Sequence, residues 1–408
     1  MTGASTMIGS HFLHYVLTHT SLMVYCIAEP VASHKEAKKR IIQALEHNKL
    51  SADLEDNNSR IIAFPGQLSH PTLGLSEVQI GLLDEKATAI YHLDSDVSLL
   101  KNFDGVRAGN IGSTLFLMWL AAGWSGAPRN VKQLNYLSTW GVPHLQAWHG
   151  TTLSPPGHVI KEEKELDHMT PSSDPGLAYL KARWACERLL GQAAALGLPV
   201  TIFRPSMCAN SERSGKGLKR DDINRRILEG SLQTGCVPDF GSERGGGMSW
   251  MSVDKLVHAM ATLSGLFTLA SSQDSTRKSP TRSGPEIYHV VADRHIPYNE
   301  LASVLGTGYD GRKLRTVEPA EWFEAMKKTG NMDMAMQAEV LASWWEAGWV
   351  GFKIEDAYTR KRIRELETAA KGSSTDGDAN RDVADGVSEG KPVDRDWILR
   401  CVIGEKGF

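Results

Sequence analysis

The sequence predicts an α/β protein, a parallel sheet covered by helices, followed by a smaller and mostly helical second region. Three observations carry this reading. Short runs rich in β-branched and aromatic residues alternate with helical stretches through the first 205 residues, as strands joined by helical crossovers do. A glycine-spaced turn, Thr2-Gly3-Ala4-Ser5-Thr6-Met7-Ile8-Gly9, opens onto a helical stretch. A helix near the middle carries Tyr179 and, one turn later, Arg183; residues four apart share a helix face.

In order, residues 10–18 read as helix and 22–27 as strand. In nucleotide-binding folds a glycine turn follows a first strand and brings backbone N–H groups and a helix N-terminus to a pyrophosphate. Almost no chain precedes the turn here, so the first strand is expected to be missing, and an upstream exon would restore it. Gly3 and Gly9 occupy the first and third glycine positions, with Thr6 at the middle one; a capped helix start is the competing reading. The second strand ends at Glu29-Pro30, and the helix over 33–48 carries Lys35, Lys38, Lys39 and Arg40 on its solvated side. A strand at 60–64 runs into Pro65-Gly66-Gln67-Leu68-Ser69, then come a helix at 76–84 and a strand at 87–92. A long helix over 105–123 carries Asn110, and the strand at 131–140 ends in Ser138 and Thr139. Ligands of such sheets bind at the carboxyl ends of strands, which places these hydroxyls for chemistry; a turn or cap is their structural alternative. The Tyr179 helix, a Gly197-Leu198-Pro199 turn and a strand to Arg204-Pro205 complete the region.

Beyond it the pattern predicts a helix at 222–233, a glycine-rich turn at 241–247, a strand at 248–252, a helix at 253–266, a polar loop at 271–284 and a strand at 286–291. Residues 298–366 read as helical, with Trp322, Trp344, Trp345 and Trp349 as core. Residues 369–394 lack a large apolar face and are expected to be disordered, and 397–403 hold an apolar patch able to dock back. The expected organisation is 1–205 sheet domain, 206–368 substrate region, 369–394 linker and 395–408 docking segment.

Composition narrows the function classes. A net charge of -3 and the absence of a basic run give no reason to expect nucleic acid. Cys26, Cys186, Cys208, Cys236 and Cys401 form no CxxC pair, so neither a metal site nor a disulfide framework is expected, and a cytoplasmic setting follows. No apolar run reaches the length of about 18 residues that a membrane span needs, and no basic residue precedes the first apolar ones as in a signal peptide.

The blocks Tyr136-Leu-Ser-Thr-Trp140, 179–190, Gly197-Leu-Pro-Val-Thr-Ile-Phe-Arg-Pro205 and 221–250 resemble, in order and spacing, the terminal reductase (R) domain of nonribosomal peptide synthetases and polyketide–peptide hybrid synthetases, here as a free-standing chain. The likeness runs from Thr2 to about Leu366, and Asp222-Ile-Asn-Arg-Arg-Ile with Val237-Pro-Asp-Phe-Gly looks especially like the fungal hybrids. The resemblance implies an extended short-chain dehydrogenase/reductase: a Rossmann-like doubly wound sheet binding NADPH, with a C-terminal region for an acyl or peptidyl thioester on a carrier protein. It implies a Ser/Thr–Tyr–Lys set in which Ser138 or Thr139 orients the substrate and Tyr179 donates a proton to the oxyanion. Arg183 stands where the lysine belongs, and Asn110 where the superfamily's helix asparagine lies.

The cofactor side departs from that pattern. Glu29 stands in the place of an arginine that pairs the ribose 2′-phosphate, a repulsion of about 1 kcal/mol near a surface. Gly66-Gln67-Leu68-Ser69 replaces Gly-Asp-Leu-Ser, and His92-Leu93-Asp94-Ser95 replaces His-Asn-Ala-Ala, which is expected to set Leu93 and an anionic Asp94 beside the dinucleotide. Arg183 stays charged but differs from lysine in reach. Gly3, Gly9, Glu29 and Asn110 are therefore a degenerate cofactor set, for NADP or NAD if either binds, while the acyl pocket is retained. The leading reading is a redox-inactive release enzyme that closes a ring by Dieckmann condensation, with Asp94 or Asp96 as base. The alternatives are an active NAD(P)H-dependent thioester reductase releasing an aldehyde or alcohol, and a non-catalytic module that binds a carrier protein or synthetase.

Overall fold

Successive residues of a strand point to opposite faces, and along the central strands of this chain both sets are largely buried, which sandwiches the sheet between two helical layers. The computed structural model describes the chain except residues 30, 32, 52–53, 55–57, 99–100, 125–130, 144–158, 163–177, 219–221, 241–246, 272–283, 293–295, 310, 312, 331–334, 337, 340–341, 343–352, 374–396, 400 and 402–408. The first half comprises α1 (Met7–His19), β1 (Val24–Ala28), α2 (His34–His47), β2 (Ile61–Pro65), α3 (Glu77–Lys86), β3 (Ala89–His92), α4 (Phe103–Arg107), α5 (Ser113–Ala122) and β4 (Gln133–Leu137). Then come β5 (Val159–Ile160), α6 (Ala178–Ala195), β6 (Val200–Pro205), β7 (Met207–Ala209), α7 (Ile223–Thr234), β8 (Cys236–Pro238) and β9 (Trp250–Ser252). The rest is α8 (Val253–Leu263), α9 (Leu266–Ser271), β10 (Glu286–Val290), α10 (Tyr298–Tyr309), β11 (Arg315–Val317), α11 (Pro319–Lys327), β12 (Lys353–Ile354) and α12 (Ala357–Ser373).

The main sheet has two parallel parts, β2-β1 and β10-β6-β4-β3. They meet at Thr2, which bridges Ile27 of β1 on one side and His92 of β3 on the other. Met1 and Thr2 lie between β1 and β3, with Thr2 N–H donating to Tyr91 O at 3.0 Å and Ile27 N–H to Met1 O at 2.9 Å. Ile90, Tyr136 and Ile202 face Leu117, Leu120, Cys186 and Leu190 of α5 and α6. Their neighbours Tyr91, Leu137 and Phe203 face Phe12, Val16, Val257 and Met260 of α1 and α8. At the β2 edge, Ile41 and Leu45 of α2 pack with Leu13 and Leu17 of α1 against Cys26 and Ile61.

A second core joins α7, α10 and α11 to β8, β9 and β11 around the fully buried Trp322, with Phe240, Trp250 and Tyr298. Trp397, Ile398, Leu399 and Cys401 are buried in the same core, and Trp397 Nε1–H donates to Asn210 O at 3.0 Å. The stretch expected to be wholly helical over 298–366 also contains β11, paired to β8, and β12, paired to β5. Helix α12 continues through residues 369–373, where Ala369, Ala370 and Lys371 are good helix formers; the expected disorder over 374–394 lies outside the described residues, as do Trp344, Trp345, Trp349 and most of the 271–284 loop. Among the described residues no helix is long and apolar enough to cross a membrane and no side-chain group could hold a metal ion.

Candidate active site

The carboxyl ends of β1, β3 and β4, the glycine turn after Thr2 and the start of α6 converge on one edge of the sheet. Tyr179, the second residue of α6, is half-buried, while Arg183 one turn later is buried. The Arg183 guanidinium lies 5.2 Å from the Tyr179 ring centre and 5.3 Å from that of Tyr136. Its Nη1 donates to Tyr136 OH at 2.9 Å and to Leu137 O at 2.8 Å, and Nη2 donates to Ser95 Oγ. Burial works against its charge, but Tyr136 and then Tyr179 outweigh it, so the pKa is raised. Arg183 is therefore a fixed cation that ties α6 to the end of β4 and to the turn after β3. A lysine, with one rotatable ammonium, cannot make that planar set of contacts.

The two candidate hydroxyls separate. Ser138 is buried and donates to Glu187 Oε1 at 2.5 Å. Glu187, two turns after Tyr179, also takes Arg204 Nε at 3.1 and 3.2 Å and Nη2 at 2.6 Å, with both side chains at most 1% exposed. Arg204 Nη1 reaches His289 Nε2 at 3.2 Å, and His289 Nδ1 lies 2.9 Å from Glu355 O. Burial and then Arg204 push the His289 pKa down to about 3, so the ring is neutral, accepting at Nε2 and donating from Nδ1. Such a buried ion pair survives only because its remaining lone pairs are filled, and Ser138 fills one. Thr139 is half-buried and accepts only Gly141 N–H at 3.2 Å among the described residues. Among the described residues its O–H has no acceptor.

On the cofactor side the glycine turn closes upon itself. Thr6 Oγ1 donates to Gly3 O at 2.8 Å and accepts from Gly9 N–H at 3.1 Å, capping α1. Gly3 has φ 75°, and a Cβ there would come within 3.0 Å of the Leu93 and Asp94 backbone; at Gly9 a Cβ would stand 1.8 Å from Gly3 O. Both glycines are thus required for close approach of backbone, with or without a ligand. Leu93 is buried among Phe12, Tyr91 and Leu137, so its side chain turns into the core rather than toward the site. His92 is held by Thr2 Oγ1 at 2.8 Å and Ser113 Oγ at 3.1 Å, and burial, then Arg183, lower its pKa to about 3.

Asn110 sits in a π-helical turn, Ala108–Gly112, between α4 and α5, a bulge that often marks functional segments. Its amide is engaged in both senses, Oδ1 accepting Asp96 N–H at 2.8 Å and Nδ2 donating to Asp96 O at 3.0 Å. Asp96 itself accepts Ser98 N–H and pairs with Lys101 at 2.5 Å, the role of a turn former. Glu29, half-buried at the end of β1, leaves Oε1 buried without a hydrogen-bond partner. Burial first, then the charge of Asp94, raise its pKa to about 7 against the opposing pull of Arg40.

The structure thus sets Tyr179 beside the fixed charge of Arg183, an arrangement able to stabilise a carbonyl oxygen as it gains negative charge, with Thr139 just beyond the carboxyl end of β4. Sequence reasoning missed Glu187, Arg204 and His289 as the support beneath Ser138, and Ser95 and Tyr136 as the partners of Arg183. Glu187 lies eight residues from Tyr179, a spacing that puts it on the same side of the helix, but nothing local told that its partner would come from β6.

A family model described as male sterility protein, an NAD-binding domain, matches residues 1–260. A hybrid PKS-NRPS synthetase of Aspergillus violaceofuscus is 30% identical over 391 residues, covering 92% of this chain and 10% of that protein. One of Aspergillus niger is 28% identical over 385 residues, covering 91% and 10%. The chain spans about a tenth of the length of these curated relatives. Among solved structures, the terminal R domain from the myxalamid PKS-NRPS pathway aligns over 92% of this chain and 85% of its own, with a TM-score of 0.70 at 24% identity. The reductase domain of a Mycobacterium tuberculosis nonribosomal peptide synthetase aligns over 98% and 89%, at 0.71 and 18%. A thiolation-reductase di-domain from an archaeal non-ribosomal peptide synthetase aligns over 98% and 73%, at 0.67 and 16%. At these identities the structural likeness is one of fold.

Proposed function

The chain belongs to the NAD-binding family described as male sterility protein, and from that premise we propose that it is a reductase-like release protein of polyketide and nonribosomal peptide biosynthesis, closing a ring on an acyl or peptidyl thioester without hydride transfer. The observation that carries this reading is the contrast between the two halves of the site. On the substrate half, the Thr139 O–H has no acceptor among the described residues and Tyr179 stands beside a fixed cation. On the cofactor half, Thr6 closes the glycine turn and Glu29 faces Asp94 with an orphaned buried oxygen. These residues do not fit a ribose 2′-phosphate, which would add negative charge beside two carboxylates.

In the proposed reaction a carrier-bound β-ketoamide loses a proton from the carbon between its carbonyls. That carbon attacks the thioester carbonyl; a C–C bond forms, the C–S bond breaks, and the thiolate takes up the proton. Thr139 and Tyr179 hold the thioester oxygen as it becomes an oxyanion. Asp94, which precedes the Ser95 held by Arg183 and whose Oδ1 accepts Ser95 N–H at 3.0 Å, is the base in this reading. Relatives that are hybrid synthetases and the solved thiolation-reductase di-domain support a carrier protein as the donor.

A second reading, thioester reduction to an aldehyde or alcohol, is favoured by the family's NAD-binding character and by the retained close approach at Gly3 and Gly9. Glu29 would then accept hydrogen bonds from a free ribose diol, selecting NADH. The two are separated by incubating the protein with a carrier-bound β-ketoacyl-aminoacyl thioester, with and without each nicotinamide cofactor, and identifying products by mass spectrometry. Cyclised product without cofactor, and no saturable NADPH or NADH binding by calorimetry, is the expected result. An aldehyde or alcohol formed only with cofactor overturns it.

A further inference from the structure

The ion pair beneath Ser138 is the inner end of a longer buried row. Arg204 and His289 are register partners on β6 and β10, and their contact carries the row from Glu187 to the edge of the main sheet. There His289 meets two residues from elsewhere in the chain. Its Nδ1–H donates to Glu355 O, just after β12, and its backbone N–H donates to Glu162 Oε1 at 3.2 Å. Glu162 follows β5, on the connection from β4 to α6, and Glu355 N–H donates to Ile160 O at 2.8 Å where the β5–β12 pair ends. The Glu162 carboxylate also takes the N–H of Tyr358 at 2.9 Å and of Thr359 at 3.1 and 3.3 Å, together with the Thr359 hydroxyl. These backbone groups belong to the first turn of α12, where N–H groups lack partners within the helix and favour a negative charge. Glu162 thus fastens the β4–α6 connection to β10 and to α12.

We propose that Glu162 is a positioning residue of the thioester site, acting through His289, Arg204 and Glu187 on the placement of α6 against β4. Ser138, Glu187, Arg204 and His289 are all buried. Breaking one bond of such a network leaves a partner unpaired in a low-dielectric interior, so loosening one end is felt along its length. The inner bond, from Ser138 to Glu187, lies one residue before Thr139 and two turns along α6 from Tyr179. It therefore sets how the hydroxyl-bearing end of β4 stands relative to the helix of Tyr179. At the outer end, Glu355 O fixes the His289 tautomer that leaves Nε2 to accept from Arg204, while Glu162 holds the backbone that carries the ring. Burial and then Arg204 keep that ring neutral, with a pKa of about 3, so the row holds one hydrogen-bond pattern at neutral pH. The inference rests on the reading above, in which Thr139 and Tyr179 act on one thioester oxygen, and not on which product is released.

The test compares Glu162→Gln with Glu367→Gln in the full chain. Glu367 lies further along α12 and ties it to α8 through His258 Nε2 at 2.9 Å instead of to the row. Glutamine at 162 keeps the length but leaves one acceptor oxygen where there were two. Both variants loosen α12 and should lower the melting temperature. Only Glu162→Gln should lower kcat for release from a carrier-bound β-ketoacyl-aminoacyl thioester, by about ten- to a hundredfold with KM unchanged, the effect of a displaced rather than a missing group. In a His289→Asn background, which keeps a donor for Glu355 and removes the acceptor of Arg204, Glu162→Gln should cost no further kcat. Thr359→Val removes one donor to Glu162 and keeps the helix; it should act in the same direction with a smaller loss, and it carries the test if Glu162→Gln does not fold. Hydrogen–deuterium exchange of the unliganded protein reads the coupling without any reaction: residues 178–190 should exchange faster in Glu162→Gln and Thr359→Val and at the wild-type rate in Glu367→Gln. Wild-type protein that releases no cyclised product refutes the reaction assigned above, and the exchange rates then decide this inference alone. Equal kcat loss in the two glutamine variants, or exchange at 178–190 that does not respond to Glu162→Gln, overturns it. So does a kcat for Glu162→Gln within about twofold of wild type.

Discussion

Replacing Glu29 by glutamine should make the protein more stable, and only above acidic pH. The carboxylate is half-buried, one oxygen has no partner, and Asp94 faces it. Burial first and Asp94 second raise its pKa from the usual 4.5 to about 7. A carboxyl whose folded-state pKa lies above its unfolded one binds its proton more tightly when folded. Its contribution is thus fully present below pH 4.5 and is lost as pH climbs through about 7. The raw shift corresponds to roughly 3 kcal/mol at about 1.4 kcal/mol per unit, and solvent screening of a half-exposed group reduces it to about 1 kcal/mol. Glutamine keeps the shape and removes the ionisation. Urea unfolding of wild type and Glu29→Gln from pH 4.5 to 8 should therefore give coincident stabilities at the acid end and a variant more stable by about 1 kcal/mol at pH 8. Asp94→Asn should act in the same direction, and the double variant should gain less than the sum, because both relieve one repulsion. Parallel pH profiles, or a wild type more stable at pH 8, would refute the argument.

The remaining expectations divide support from chemistry. Thr139→Ala should lower release of the thioester product by about 10²–10³-fold with the melting temperature unchanged, whereas Ser138→Ala should destabilise by about 1–3 kcal/mol, since an oxygen of Glu187 loses its donor, and should affect turnover less. Glu187→Gln strands the buried charge of Arg204, and a loss of about 3–5 kcal/mol in urea unfolding is expected. Arg183→Lys, which restores the residue type of the reductase pattern, should cost about 1–3 kcal/mol by leaving Tyr136, Leu137 or Ser95 without its donor; calorimetry should detect no gain of NADPH binding, and a stable variant that binds NADPH would contradict the role of Arg183 as a tie.

The alternation of strands and helices, the turn chemistry and the block order were legible in the sequence because they are local. Period-two apolar residues in β3, β4 and β6 write both faces of a buried sheet into the chain, and Thr6, Ser33 and Ser76 each sit directly ahead of the helix they cap. The pairing of Ser138 or Thr139 with Tyr179 was an expectation from the resemblance, and the substitution of Arg183 was visible as a letter. What the letter does was decided elsewhere. Arg183 is held by groups 46, 47 and 88 residues away, and Ser138 parts from Thr139 because Glu187 and Arg204, on different elements, form an ion pair beneath it. Leu93 was expected beside a ligand and is core, because the strand's alternation carries one residue past its end. Sequence by itself determined the elements and the residue types at the site, since these depend on neighbours in the chain. Which hydroxyl is tied to the buried ion pair and which cation is committed depend on contacts between distant segments, and only their packing decided them.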